Sequence, residues 1–327
     1  MELRPLGTTG LAVSPIGLGL AALGRPGYIT LGRDRDLGPA RGVDALRARA
    51  HEVLDAAWAA GVRYVDVARS YGRAEEFVAS WLRTRGCRPG ELTVGSKWGY
   101  TYTADWRIDA ETHEVKDHSP ATFRRQFAES RSIIGDWLRL YQVHSATLES
   151  GILDDRTALA ELATLRDAGI VVGLTLSGPG QADTVRRALE VVVEGVNPFR
   201  CVQATWNLLE PSVGPALEEA HRAGWGVIVK EAVANGRLTP RGEAGRREPL
   251  RTIAAERGAS TDAVAIAAAL ARPWADVVLS GAATVDQLHH NLRALELRLE
   301  PAELDALAAL AEAPPVYWAT RGRLAWT

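Results

Sequence analysis

Lysine is almost missing from this chain. Of its 38 basic residues only three are lysines, Lys97, Lys116 and Lys230, and the others are arginines. A chain with that habit offers few lysines by chance, so each one asks for a reason. Cysteine is as scarce: Cys87 and Cys201 are neither clustered nor in a metal-ligand spacing. That pattern points away from a disulfide framework and from a metal site, and two buried thiols in a reducing compartment are expected. An excess of charge of one sign is absent as well. The net charge of −2 gives no general reason to expect nucleic acid or an anionic membrane as a partner. Long apolar runs are lacking too. The nearest to one, G-L-A-V-S-P-I-G-L-G-L-A-A-L-G over 10–24, is too short to span a bilayer. Pro15 and the glycines interrupt it and Glu2 dilutes the positive charge before it, so it is a poor secretory signal. It reads as a hairpin followed by a buried strand, in a cytoplasmic protein.

What is present is an ordinary globular mixture, 46% hydrophobic and 24% charged, sufficient for a packed core. Eight short apolar runs recur: I-G-L-G-L (16–20), Y-V-D-V-A (64–68), L-T-V-G-S-K-W (92–98), L-Y-Q-V-H-S (140–145), V-V-G-L-T-L-S (171–177), C-V-Q-A-T-W-N (201–207), W-G-V-I-V-K-E (225–231) and D-V-V-L-S-G (276–281). Amphipathic stretches lie between them, several closing on glycine as helix C-termini do. Eight strand–helix units in 327 residues predict one (β/α)8 barrel over 1–327. A doubly wound open sheet is the alternative, but no G-x-G-x-x-G opens a helix after the first strand. No linker divides the chain.

Three segments exceed ordinary loop length: 27–42, 99–116 and the tail from Ala313. Loops that follow barrel strands lie on the catalytic face and shape pockets. These carry Tyr28, Tyr100, Tyr102, Trp106, Tyr317, Trp318 and Trp326, aromatics that suit an organic substrate with apolar or sugar-ring faces. Tyr28, Trp98, Trp106 and Trp318 are the expected pocket walls.

A polar residue at the C-terminal end of a barrel strand is a candidate for chemistry. In R-Y-V-D-V-A, alternation sets Tyr64, Asp66 and Ala68 on one face, so Asp66 needs a partner if that face is buried. The second strand offers Asp66 with Tyr71 in the turn beyond it, the third ends in S-K-W with Lys97, and the fourth in Q-V-H-S with His144. A phenol with a pKa of about 10 is a poor acid–base group near neutrality. An adjacent ammonium lowers it, and an aspartate holds that ammonium in place. Asp66 and Lys97 are expected to pair, with His144 bonding a carbonyl oxygen or relaying the proton. Such a set protonates a carbonyl oxygen as hydride reaches its carbon.

The motifs D-V-A-R-S-Y-G, S-K-W and Q-V-H-S resemble the catalytic tetrad of the aldo-keto reductases, (β/α)8 nicotinamide oxidoreductases. The resemblance covers nearly the whole chain and includes L-R-P-L-G-T-T-G-L-A-V-S-P-I-G-L-G, V-Q-A-T-W-N-L-L-E, A-N-G-R-L-T and S-G-A-A-T-V-D-Q-L-H-H-N-L. It implies an NAD(P)(H)-dependent enzyme interconverting an aldehyde, ketone or sugar with its alcohol, Tyr71 serving as general acid and base. A sugar 1-dehydrogenase is the alternative enzyme, and a nicotinamide-binding regulatory subunit the alternative of another class. It also implies cofactor contacts at Gly19, Ala21, Asp66, Ser177, Gln203, Lys230, Gly281, Ala282, Thr284, Gln287 and Asn291, with NADP(H) ahead of NAD(H). Three departures stand out. Gly281 and Gln287 occupy places where many NADP-preferring members carry a lysine and an arginine, leaving Arg237 or Arg241 to help a 2′-phosphate. Thr175 or Ser177 takes the part of the family's serine, and Lys230 stands where many members have an aromatic.

Overall fold

The computed structural model describes all 327 residues. Strands β1 (Arg4–Pro5) and β2 (Ala12–Val13) form an antiparallel hairpin with Arg4 opposite Val13. The eight apolar runs become eight parallel strands: β3 (Ile16–Gly19), β4 (Tyr64–Asp66), β5 (Thr93–Trp98), β8 (Leu138–Ala146), β9 (Val171–Leu176), β10 (Cys201–Thr205), β11 (Gly226–Lys230) and β12 (Val277–Ser280). They close into a barrel in chain order, β12 pairing back onto β3 through Val278 and Ile16. Between β5 and β8 the long loop makes its own antiparallel pair, β6 (Tyr100–Tyr102) and β7 (Glu114–Lys116).

Helices separate the strands as a right-handed crossover requires. In order they are α1 (Arg33–Leu37), α2 (Val43–Ala59), α3 (Ala74–Arg85), α4 (Pro120–Ile134), α5 (Arg156–Asp167), α6 (Gln181–Leu189), α7 (Gly214–Arg222), α8 (Leu250–Glu256), α9 (Thr261–Leu270), α10 (Val285–Leu292), α11 (Pro301–Ala308) and α12 (Pro314–Gly322). Several starts follow local chemistry: Ser119 and Asp155 accept backbone N–H bonds at the heads of α4 and α5, satisfying donors that the first turn leaves free. The strands are hydrophobic on both faces because helices cover the outside and side chains fill the inside. The largest apolar cluster lies in the helix-to-barrel layer and includes Val65, Phe77, Val143 and Val229.

The barrel interior is plugged at its N-terminal end. Leu6, Leu11 and Val13 of the hairpin pack with the inward-facing Tyr64, Leu140, Cys201, Ile228 and Val277. Tyr64 needs room there. A Cβ on Gly17 would come within 2.7 Å of its ring, and one on Gly95 within 2.5 Å of its hydroxyl, so both neighbouring strands carry glycine at that level. With this end filled, the open end is the C-terminal mouth. Cys87 and Cys201 are buried free thiols. No helix is long and apolar enough to cross a membrane.

Candidate active site

Alternation along β4 aims Asp66 inward above Tyr64, where it is 2% exposed. A buried carboxylate is tolerable only when its oxygens are bonded, and both are. The Lys97 ammonium, also buried, donates to Oδ1 in an ion pair. Oδ2 accepts from Tyr64 Oη at 3.1 Å and from Gln203 Nε2 at 2.8 Å. Lys97 Nζ then spends its remaining donors on the Val67 carbonyl at 3.0 Å and the Tyr71 hydroxyl at 3.3 Å. The pairing anticipated from sequence is present, and the lysine bridges the carboxylate to the phenol.

Tyr71 sits in the turn after β4, fixed against the loop after β3 by the bond from Arg73 N to the Gly24 carbonyl at 2.8 Å. Its ring meets the His144 ring edge-on at 5.6 Å. On β8, His144 is buried with Nδ1 3.4 Å from Ser70 Oγ, and Tyr100 from β6 packs edge-on against it at 5.0 Å. Burial, with Lys97, Lys230 and Arg25 nearby, holds the imidazole well below its ordinary pKa, so it is neutral. A neutral imidazole can offer an N–H to a carbonyl oxygen but carries no spare proton to give.

Tyr71 departs from expectation. Burial, and after it the Asp66 carboxylate, push the phenol well above its ordinary value, and the Arg25 guanidinium works against them. The expected lowering by Lys97 does not prevail because that ammonium is committed to Asp66 and is itself pulled down by burial. Tyr71 therefore holds its proton at neutral pH.

These groups open onto a cavity of about 570 Å³. Asp66, Tyr71 and His144 line its deep end, with Tyr28 beside them. Gly19, Ala21, Gln203 and Lys230 line its middle, and Gly281, Ala282, Gln287 and Asn291 its far end. Lys97 lies behind Tyr71. Thr284 is one step outside, capping α10 by accepting from Gln287 N at 3.2 Å, on the wall of an adjoining outer cavity. Asn291 Nδ2 donates to Ser280 Oγ at 2.8 Å, tying α10 to the end of β12. Lys230 Nζ donates to Thr205 Oγ1 at 2.7 Å and lies 3.8 Å from Glu231. Burial lowers its pKa to about 8.

Several of the residues singled out in the sequence go elsewhere. Ser177 is off the cavity wall, and Thr175 is buried with its hydroxyl accepting from Ser145 N at 2.8 Å. Trp98 faces outward, as the residue after an inward Lys97 must. It packs on Phe123 of α4 at 5.1 Å and on His118 at 5.7 Å. Trp106 anchors its loop by donating to the Arg41 carbonyl at 2.8 Å. Trp318 lies on α12 against Tyr317, at 5.5 Å, because α12 turns that face toward the outer cluster below it. Of the two arginines considered for a phosphate, Arg237 is tied up by Glu312 and Glu243, whereas Arg241 reaches the cavity wall.

The cavity also has walls that sequence reasoning passed over. Arg25, in the loop after β3, donates to the Ser70 carbonyl at 2.9 Å and pairs with Glu114 at 2.8 Å. Its guanidinium lies 5.1 Å from the Tyr28 ring, 5.3 Å from Tyr71 and 4.8 Å from Trp326. Its position in a post-strand loop was the signal available. Glu231, in the left-handed region at φ 58°, is held by Arg321 of α12, whose Nε lies 2.9 and 3.0 Å from its two oxygens. Asn235 is among the cavity-lining residues, and its buried Oδ1 has no hydrogen-bond partner.

The sequence model of the aldo/keto reductase family matches residues 15–312. An aldo-keto reductase of Emericella nidulans is 24% identical, covering 94% of this chain and 81% of its own length. The NADP(+) aryl-alcohol dehydrogenase of Phanerodontia chrysosporium is 25% identical over 91% of this chain and 82% of its own. The structure of an aldo-keto reductase from Bacillus halodurans superposes with a TM-score of 0.72, covering 96% of this chain and 97% of that one at 22% identity, a likeness of fold. A closed eight-strand barrel with its N-terminal hairpin, and a family match over most of the chain, lead to one conclusion: the protein belongs to the aldo/keto reductase family and is an oxidoreductase.

Proposed function

We propose that the protein interconverts a carbonyl compound and its alcohol in an NAD(P)(H)-dependent reaction, with Tyr71 as general acid and base. The observation that carries this reading is the bridge made by Lys97 between Asp66 and the Tyr71 hydroxyl, at the floor of a cavity with His144 beside it. The lining is compatible with a dinucleotide. The Gln203 amide offers both a donor and an acceptor to a carboxamide, Asn235 Oδ1 is a buried acceptor without a partner, and the head of α10 presents backbone N–H groups suited to phosphate. Gln203 would hold the nicotinamide end, and Gly281, Ala282, Thr284 and Asn291 the adenosine end. The cofactor supplies or accepts the hydride.

The chain's own residues handle the proton. A phenol with a raised pKa, still protonated at neutral pH, would donate to the oxygen of a carbonyl undergoing reduction. Lys97 then stabilises the phenolate left behind, since its ammonium already points at that oxygen. His144, neutral, directs the carbonyl oxygen toward Tyr71. Arg25, Tyr28 and Trp326 make an aromatic and cationic wall near this point, which favours an aromatic aldehyde or its alcohol. The relative named as an aryl-alcohol dehydrogenase accords with that choice. A panel of aryl aldehydes, aliphatic aldehydes and aldoses, followed by the absorbance of the reduced cofactor, tests the proposal. Turnover should be highest for aryl aldehydes. A preference for aldoses in the oxidative direction would favour a sugar 1-dehydrogenase, and cofactor binding without turnover on any of them would favour a regulatory role.

A further inference from the structure

The far end of the cavity is closed by a clasp built from three connections. Asp36 lies on α1, in the connection from β3 to α2. That short helix is pinned by Arg33, which is 1% exposed. The Arg33 guanidinium donates to the backbone carbonyls of Ala22, at 2.9 Å, and of Thr327, at 2.8 Å. Asp36 is thereby presented in a fixed place, where its two oxygens accept from Arg241 Nη2 at 2.7 Å and Nη1 at 2.8 Å. Oδ2 also accepts from Gln287 Nε2 at 2.6 Å. Gln287 cannot turn its amide, because its Oε1 accepts from Ala283 N at 2.9 Å. Asp36, Arg241 and Gln287 form the wall between the main cavity and the outer one.

The charges at this end run against a further anion. Arg241 has the Nη1–Nη2 edge of its guanidinium committed to Asp36, and Asp34 and Asp262 also act on it. Asp36 and Asp262 both line the cavity. For Arg241 to turn to a phosphate, it would have to leave a carboxylate that is only 9% exposed without its cation, and an uncompensated buried charge is costly. A ribose hydroxyl carries a donor that an Asp36 oxygen can accept at no such cost.

Resting on the nucleotide reading above, we infer that Asp36 makes the protein select the dinucleotide without a 2′-phosphate, NAD(H) over NADP(H). Asp36 acts by repelling the extra phosphate and by withholding Arg241, the arginine on the wall that the two cavities share. This is discrimination by an unfavourable element as much as by a favourable one.

Fluorescence titration with NADH and with NADPH tests it, on the wild type, Asp36→Ser and Arg241→Ala. Wild type should bind NADH at least about tenfold more tightly, and Asp36→Ser should tighten NADPH by about tenfold as Arg241 is released to pair with phosphate. Arg241→Ala should leave NADPH affinity within about threefold, because that guanidinium serves Asp36. NADPH binding more tightly to wild type, or an NADPH affinity unmoved by Asp36→Ser, overturns the inference, as does a collapse of NADPH binding in Arg241→Ala. If Asp36→Ser does not fold, the wild-type ratio and Arg241→Ala decide. Binding of neither nucleotide to wild type would instead sink the nucleotide reading itself.

Discussion

Lys230 puts the sparse-lysine argument to work at the scale of a single residue. It ends an apolar strand, and its ammonium reaches the cavity wall while Glu231 is taken up by Arg321. An arginine there would need more room for its planar fork, whereas a compact ammonium on a flexible stem fits beside Thr205 and can turn toward an anion. Its pKa is lowered to about 8 by burial, so it is an ammonium below that pH and a neutral amine above it. If it meets the cofactor's pyrophosphate, the wild-type dissociation constant should rise as pH passes through about 8. Lys230→Met should bind about tenfold more weakly at pH 7, the scale of a hydrogen bond to a charged group, and show no such rise. Titration of NADH across that range measures both. Equal affinities for the two proteins, with a flat wild-type profile, would remove Lys230 from the cofactor site. The residue scale also shows where sequence reasoning failed. Trp98 was legible as outward-facing once Lys97 was taken as inward, since neighbours on a strand point to opposite faces. Aromatic identity advertises burial, and it does not say on which side of the barrel wall.

Among the elements, α12 is one that the apolar pattern did not reveal. Its sequence P-P-V-Y-W-A-T-R-G begins with two prolines, which suit a first helical turn, but a nine-residue stretch has too few turns to display a period. What seats it is a long-range pair, Arg321 with Glu231 at the end of β11. No local pattern reports a contact 90 residues apart. The same is true of α1, fixed by Arg33, and of the β6–β7 pair, whose strands are three residues each. The Glu231–Arg321 pair carries a stability prediction. Arg321 and Lys230 hold the Glu231 carboxyl at about 2, below its ordinary 4.5, despite burial acting the other way. A depressed carboxylate stabilises the fold fully above about pH 4.5, and that stabilisation is lost as pH falls toward about 2. Glu231→Gln should lower unfolding free energy at pH 7 by about 3 kcal/mol, the cost of leaving a partly buried cation alone. The gap to wild type should narrow as the pH drops through that window. Denaturant unfolding at a series of pH values reads it directly, and a gap independent of pH would show that the pair's charge is not what seats the helix.

Over the whole molecule, the barrel was readable because each strand of a parallel sheet is covered on both sides and so shows as a continuous apolar run. All eight runs became barrel strands, from Ile16 to Ser280. The meeting of Asp66, Tyr71, Lys97 and His144 was readable because polar residues at barrel strand ends and in the loops after them converge on one face, so these four could be placed together before their contacts were known. The tuning of the phenol was not readable. It depends on how deeply Tyr71 is buried and on where Lys97 spends its charge, both set by packing across several strands.

The central claim is that the proton passes through Tyr71, and replacement of Tyr71 by Phe tests it with least ambiguity. The variant removes one hydroxyl and leaves the ring that packs against His144 and Arg25. Measured side by side, the dissociation constant for the reduced cofactor should stay within about twofold of wild type, while the reduction rate of an aryl aldehyde should fall by about a hundredfold to ten-thousandfold. Turnover within about threefold of wild type, with cofactor binding intact, would contradict the account and put the proton elsewhere.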